Sequence, residues 1–147
     1  VDLFEHADFE VGTTKDLESA TWGKLVVNAV INPLTAILGV PNGVLLELAQ
    51  IQALIEAAAL EGAAVAHACA VSLPYADPIE QVEKVARQTG SNRSSMLQDI
   101  SRGAPTEIDA INGAIVKFAV EVDVDVPVIE TLRHLVLGMV SIRRGSE

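Results

Sequence analysis

Lys24, Asn28 and Asn32 recur at every fourth position of WGKLVVNAVINP, residues 22–33, while Leu25, Val26, Val27, Ala29, Val30 and Ile31 fill the places between. On a helix each step of four drifts by about 40°, so the three polar groups share an arc of roughly 80°. A surface helix spends its polar face on several charges. This one is apolar nearly all round, which predicts burial and leaves a narrow polar seam that must face something. Two readings fit. In the structural one, Lys24 sits at a surface end and the two asparagines are satisfied core amides or helix-end residues, because buried polar groups are seldom left unpaired. In the functional one, the seam is a polar ledge for a small anionic ligand and Lys24 is a proton donor.

Other reactive side chains offer less. His67 and Cys69 lie two apart in an apolar stretch, about 200° apart on a helix, so one helix face cannot present both to a metal. His134 falls among Leu132, Leu135 and Leu137, as a partly exposed helix histidine would. Cys69 is the only cysteine; no intrachain disulfide can form, which fits a cytosolic protein. The net charge is −10, and the ten Lys and Arg are scattered, so a nucleic-acid surface is not expected. With no apolar run of about 18 residues and no basic-then-apolar leader, neither a membrane span nor a secretory signal is expected.

The elements that must carry the seam read as helices. Half of the 147 residues are hydrophobic, yet only Phe4, Phe9, Trp22, Tyr75 and Phe118 are aromatic. A core of Ala, Val, Leu and Ile favours close-packed helices in one domain. Asp8 to Val11 could form a short edge strand, residues 1–13 reading as the tail of a preceding unit. Thr13 with Asp16 has capping-box spacing and predicts a first helix from about residue 14 to Ile31, ended or kinked by Pro33. A further turn or two follows to Gly39, then a turn or helix start at Asn42–Gly43, then one broken or two consecutive helices from Val44 to Val71. Residues 62–70 are small enough for another helix to pack close. Asp77, Pro78 and Glu80 open a helix of about residues 78–89. Ser91 or Asn92 can cap the next, ending at Gly103; Thr106 with Asp109 forms a second capping box; and Pro127 starts the last, completed by Arg143 and Arg144. The sum is seven or so helices.

Three separated blocks, WGKLVVNAVINPLTA, then SSMLQDI at 94–100, then TEIDAINGAIV at 106–116, with Asn42 in VPNG between the first two, resemble the C-terminal domain of the ketopantoate reductase (2-dehydropantoate 2-reductase) family. The resemblance implies an all-α, multi-helix domain of the 6-phosphogluconate-dehydrogenase-like type. It also implies NADPH-dependent reduction of ketopantoate to pantoate, a step of pantothenate biosynthesis in the cytoplasm. Lys24 matches the family's proton donor. Asn28, Asn32 and Asn42 match substrate contacts, as does Ser95 for the substrate carboxylate, with Asn92 a further one. Glu107 matches a contact near the cofactor and the reacting groups. Residue chemistry agrees: hydride addition to a keto acid leaves negative charge on the oxygen, which an ammonium stabilises and then protonates, and neutral Asn and Ser hold substrate oxygens without adding charge. Ser94 and Ser95 could equally be first-turn helix residues, and Glu107 could merely favour a helix N-terminus.

One departure is large. The family's other half opens with a strand, a GxGxxG-like loop and a helix, and no such stretch occurs here. Residues 1–147 therefore read as one substrate-binding and catalytic domain, inactive without a dinucleotide-binding partner domain that supplies most NADPH contacts. The chain does not begin with methionine, which leaves a fragment or an excised domain open. Two further readings stand beside this one: a reductase of another keto acid, and a non-catalytic helical dimerisation or binding module, with a homodimer possible in either case.

Overall fold

The structure, a computed structural model, describes the backbone of residues 3–146 and the side chains of residues 14–146. It is a bundle of six α-helices: α1 (Leu3–Leu38), α2 (Ala49–Ala68), α3 (Pro78–Gln88), α4 (Ser95–Ser101), α5 (Ile108–Val122) and α6 (Pro127–Gly145), with a 3-10 helix at Asn42–Glu47. No strand occurs among the described residues. Asp8 to Val11 lie inside α1, so the edge-strand expectation is wrong there, as is a helix start at residue 14; the side chain of Thr13 lies outside the described residues.

α1 is the axis of the fold and touches every other helix. Val26, Val27, Ala29, Val30, Ile31, Leu34 and Ala36 are all buried, as an all-round apolar sequence requires. Close approach depends on small residues. A Cβ on Gly62 of α2 would stand 3.0 Å from Val26 Cγ1, so the small-residue stretch of α2 does admit another helix at short range.

Pro33 neither ends nor interrupts α1, against the expectation from its sequence. The expectation rested on a local rule, and the reason it fails is tertiary. Proline has no N–H to give to the carbonyl four residues back, and its ring crowds that carbonyl. The carbonyl is that of Ala29, and it receives the side-chain amide of Asn112 from α5, Nδ2 to O at 3.1 Å. The same amide donates to the Ile129 carbonyl of α6 at 3.3 Å. Asn112 is fully buried, so one side chain repairs the gap and ties three helices together. α1 runs on to Leu38 and ends on Gly39, whose φ of +69° is the left-handed C-terminal turn that glycine favours.

Other ends are capped as local chemistry predicts or by neighbours. Asp77 caps α3, accepting from Ile79 N and Glu80 N at 3.0 and 3.2 Å. Pro127 is the first residue of α6, but the cap there comes from α2: Glu61 accepts from Val128 N and Ile129 N, both at 2.9 Å. A carboxylate at a helix N-terminus is favoured by the exposed N–H groups and by the helix dipole. The cap of α4 is Ser94, not Ser91 or Asn92, since its Oγ accepts from Leu97 N at 3.1 Å. The expected Thr106–Asp109 capping box does not form either: Asp109 pairs with Arg133 at 2.8 Å, and Glu107 occupies the N-cap position of α5 without a side-chain cap bond.

Asn112→Leu should orphan the Ala29 carbonyl at a cost of about 1–3 kcal/mol, a fall in melting temperature of roughly 3–10 °C at this chain length. Pro33→Ala supplies a new N–H to that carbonyl, so the same substitution should cost less in the Pro33→Ala background. Thermal melts of the four proteins measure the coupling, and strictly additive losses would show that Asn112 does not act through the Pro33 gap.

Candidate active site

The seam lies along the largely buried part of α1. Lys24 is exposed, Asn28 half-buried and Asn32 only 8% exposed. Asn32 is mid-helix, which removes the helix-end reading. Nor is it a satisfied core amide: among the described residues neither its side-chain oxygen nor its nitrogen has a partner. Asn28 and the Lys24 ammonium are likewise unbonded. Next to Lys24, Gly23 sits under residues 74–75, where an added Cβ would meet Pro74 Cγ at 2.7 Å. The Tyr75 hydroxyl donates to the Gly23 carbonyl at 2.9 Å, pinning the α2–α3 connection against α1 beside the lysine.

Two connections bring the remaining predicted residues to this helix. One turn beyond Asn32, the Thr35 hydroxyl lies 2.7 Å from the Ser94 hydroxyl, placing the start of α4, and hence exposed Ser95, against α1. At the 3-10 helix, Asn42 N donates to Asn92 O and Gly43 N to Gly90 O, both at 3.0 Å. A Cβ on Gly43 would stand 2.8 Å from Gly90 Cα, so the glycine of VPNG is required by backbone contact rather than by turn shape alone. Asn42 is itself 8% exposed and gives its Nδ2 to Thr89 Oγ1 at 3.0 Å, while its Oδ1 is buried and unbonded. The Asn92 side chain is exposed.

Glu107 is exposed at the head of α5, five residues before Asn112. The Asn112–Ala29 bond sets that end of α5 beside the Asn28 turn of α1. Among the described residues, neither Lys24 nor Glu107 belongs to an ion pair, so they are not joined to each other. Sequence reasoning assigned Thr35 and Asn112 no role, and named Ser94 and Gly43 only as first-turn and turn residues. All four lie within or beside the recognised blocks, but their partners are distant in the chain.

Other features do not compete with this face. A cleft of about 440 Å³ lies between residues 103–105 and 142–144 and contains none of the seam. Among the described residues no group of three or more potential ligands could hold a metal. Cys69 is pushed above the usual thiol range by burial and by the carboxylates of Glu121 and Glu18, away from the thiolate a nucleophile needs. No described helix is long and apolar enough to cross a membrane.

Fold and seam together define an all-α bundle built round one helix that carries a lysine–asparagine ledge. The ketopantoate reductase PanE/ApbA C-terminal family matches residues 16–140, and the chain belongs to that family. The 2-dehydropantoate 2-reductase of Archaeoglobus fulgidus is 41% identical over 140 residues, 95% of this chain and 47% of that protein. The crystal structure of a PanE/ApbA family ketopantoate reductase from Ralstonia eutropha superposes with a TM-score of 0.78 at 32% identity, over 84% of this chain and 41% of that one. D-Mandelate dehydrogenase in a ternary structure with NADH and anilino(oxo)acetate gives 0.75 at 29% identity, over 82% and 40%. The chain spans about half the length of the curated relatives it matches.

Burial pushes Tyr75 up to about 12 from 10.0. The folded state therefore favours the neutral phenol, and the stability it contributes is complete below pH 10 and lost as pH rises toward 12. Chemical denaturation across that window should show a fall that Tyr75→Phe removes; an identical fall in the variant would assign the alkaline loss to other groups.

Proposed function

We propose that this chain is the substrate side of an NADPH-dependent reductase that converts ketopantoate to pantoate. The observation that carries the reading is the seam itself: Asn32 is a mostly buried residue whose amide is unbonded yet open to the surface, in line with Asn28 and Lys24. Three accessible polar groups in one row that no contact within the fold uses fit a site completed by a ligand. Asn28 and Asn32 hold the keto-acid oxygens, and the exposed hydroxyl of Ser95 binds the carboxylate with Asn92 beside it. Asn42 serves mainly as the brace that keeps Asn92 in place, with one amide oxygen left for a contact.

A reduced nicotinamide, when bound, supplies the hydride that adds to the carbonyl carbon. Lys24 stabilises the oxygen as charge builds on it and gives it a proton, so the product is the hydroxy acid. Lysine is an ammonium at neutral pH, and the absence of an ion pair leaves this one free to serve. Glu107, exposed and unpaired, meets the substrate hydroxyl and the cofactor's edge. The chain fits that edge and not the rest of the dinucleotide: it contains no strand–glycine loop–helix unit to cradle a pyrophosphate. Activity thus requires a dinucleotide-binding domain facing the seam.

A second keto acid is the alternative, favoured by the likeness to a mandelate dehydrogenase solved with an oxoacetate and NADH. Joining the chain to the dinucleotide-binding half of the Archaeoglobus fulgidus relative should give ketopantoate-dependent NADPH oxidation. A panel of 2-keto acids with NADPH and NADH then ranks substrates by kcat/KM. Lys24→Ala should lower kcat by at least about tenfold, general acids being worth ~10²–10⁴; unchanged turnover would end the role given to Lys24.

A further inference from the structure

The Thr35–Ser94 pair joins the central helix to the helix that begins with Ser95. Both hydroxyls are buried, Thr35 fully and Ser94 at 5% exposed. Thr35 Oγ1 lies 2.8 Å from the Ile31 carbonyl and 3.0 Å from the Asn32 carbonyl. Carbonyls only accept, so the Thr35 proton points to them. The 2.7 Å contact to Ser94 must then carry the Ser94 proton toward Thr35. Ser94 Oγ in turn accepts from Leu97 N at 3.1 Å. The hydrogen bonds therefore have one direction, from the first turn of α4 through Ser94 and Thr35 into the α1 turn that bears Asn32.

A helix of seven residues such as α4 has little stability of its own, and its contact with α1 and the burial of Met96 and Ile100 in the core do not fix its position to a fraction of an ångström. A directed hydroxyl pair does, because hydrogen bonds weaken steeply with distance and angle. We propose that Thr35, acting through Ser94, is a positioning residue for substrate: it sets Ser95 at the correct distance from Asn28 and Asn32, so that one keto acid is held by both helices at once. The inference rests on the reading that Ser95 meets the substrate carboxylate.

The test is titration of the whole chain with ketopantoate, followed by NMR, alongside thermal melts. Thr35→Val keeps the shape and removes the acceptor for the Ser94 proton; it should weaken binding at least tenfold, and Thr35→Ser should recover most of the loss. The double variant Thr35→Val with Ser94→Ala separates positioning from stability. Replacing both partners by apolar groups leaves no buried hydroxyl unsatisfied, but Ser94→Ala also removes the cap on Leu97 N, so the melting temperature of the double variant should return toward that of Ser94→Ala alone while binding stays at least tenfold weak. Affinity recovering together with melting temperature would reduce the pair to a packing element and overturn the proposal, as would wild-type affinity in Thr35→Val. Absence of ketopantoate binding by the unaltered chain is a different failure, which removes the keto-acid reading and the role of Thr35 with it.

Discussion

A proline in the middle of the central helix leaves one carbonyl without its N–H, and the arrangement of the bundle follows from how that carbonyl is satisfied. Asn112 reaches it from α5 and spends its second proton on α6. Because the Ala29 carbonyl must face Asn112, α1 cannot rotate about its axis, and the seam at Lys24, Asn28 and Asn32 is held in one direction. Apolar contacts alone would not do this. A helix buried among Ala, Val, Leu and Ile on every side has several orientations of similar packing energy, and volume-conserving cores lose uniqueness before they lose stability.

The same logic recurs wherever two elements must keep register. Glu61 on α2 caps α6, Ser94 meets Thr35, and the Gly43 and Gly90 backbones touch. With so few aromatics in the chain, Trp22 and Phe118, 5.1 Å apart, are the one aromatic pair joining α1 to α5 among the described residues. Small side chains allow helices to approach closely but carry little directional information. Hydrogen bonds from a handful of buried polar groups supply it.

Much of this was legible in the sequence where the cause is local. Asp77 ahead of Pro78, Pro127 at a helix start and Gly39 after one are read from backbone chemistry within a turn, and the seam from period alone. The apolar surround of α1 predicted its burial correctly. What could not be read was set by partners far along the chain. Pro33 looked like a helix end because the residue able to repair it sits in α5. Ser91, Asn92 and Ser94 are all competent caps, and the bond to Thr35 singles out Ser94. Thr106 and Asp109 have capping-box spacing, yet Arg133 on α6 takes the aspartate. The helix-capping role of Glu61 could not be read from its surroundings in the chain, since it exists only once α6 is placed.

The structure also separates two kinds of polar residue that spacing cannot distinguish. Thr35, Ser94 and Asn112 have partners on other helices, while Lys24, Asn28, Asn32, Ser95 and Glu107 have none among the described residues. The two sets alternate on the same elements: Asn32 is free one turn before bonded Thr35, Ser95 is free next to bonded Ser94, and Glu107 is free ahead of bonded Asn112. Asn42 and Asn112 each have the amide nitrogen committed and the buried oxygen bare. A folding requirement explains the bonds of the first set and gives no role to the second, Asn32 included, whose amide stays open to the surface on an otherwise buried turn. That contrast is the physical reason to read the free set as the surface that meets a ligand, and the bonded set as the frame that brings its members into range of one another.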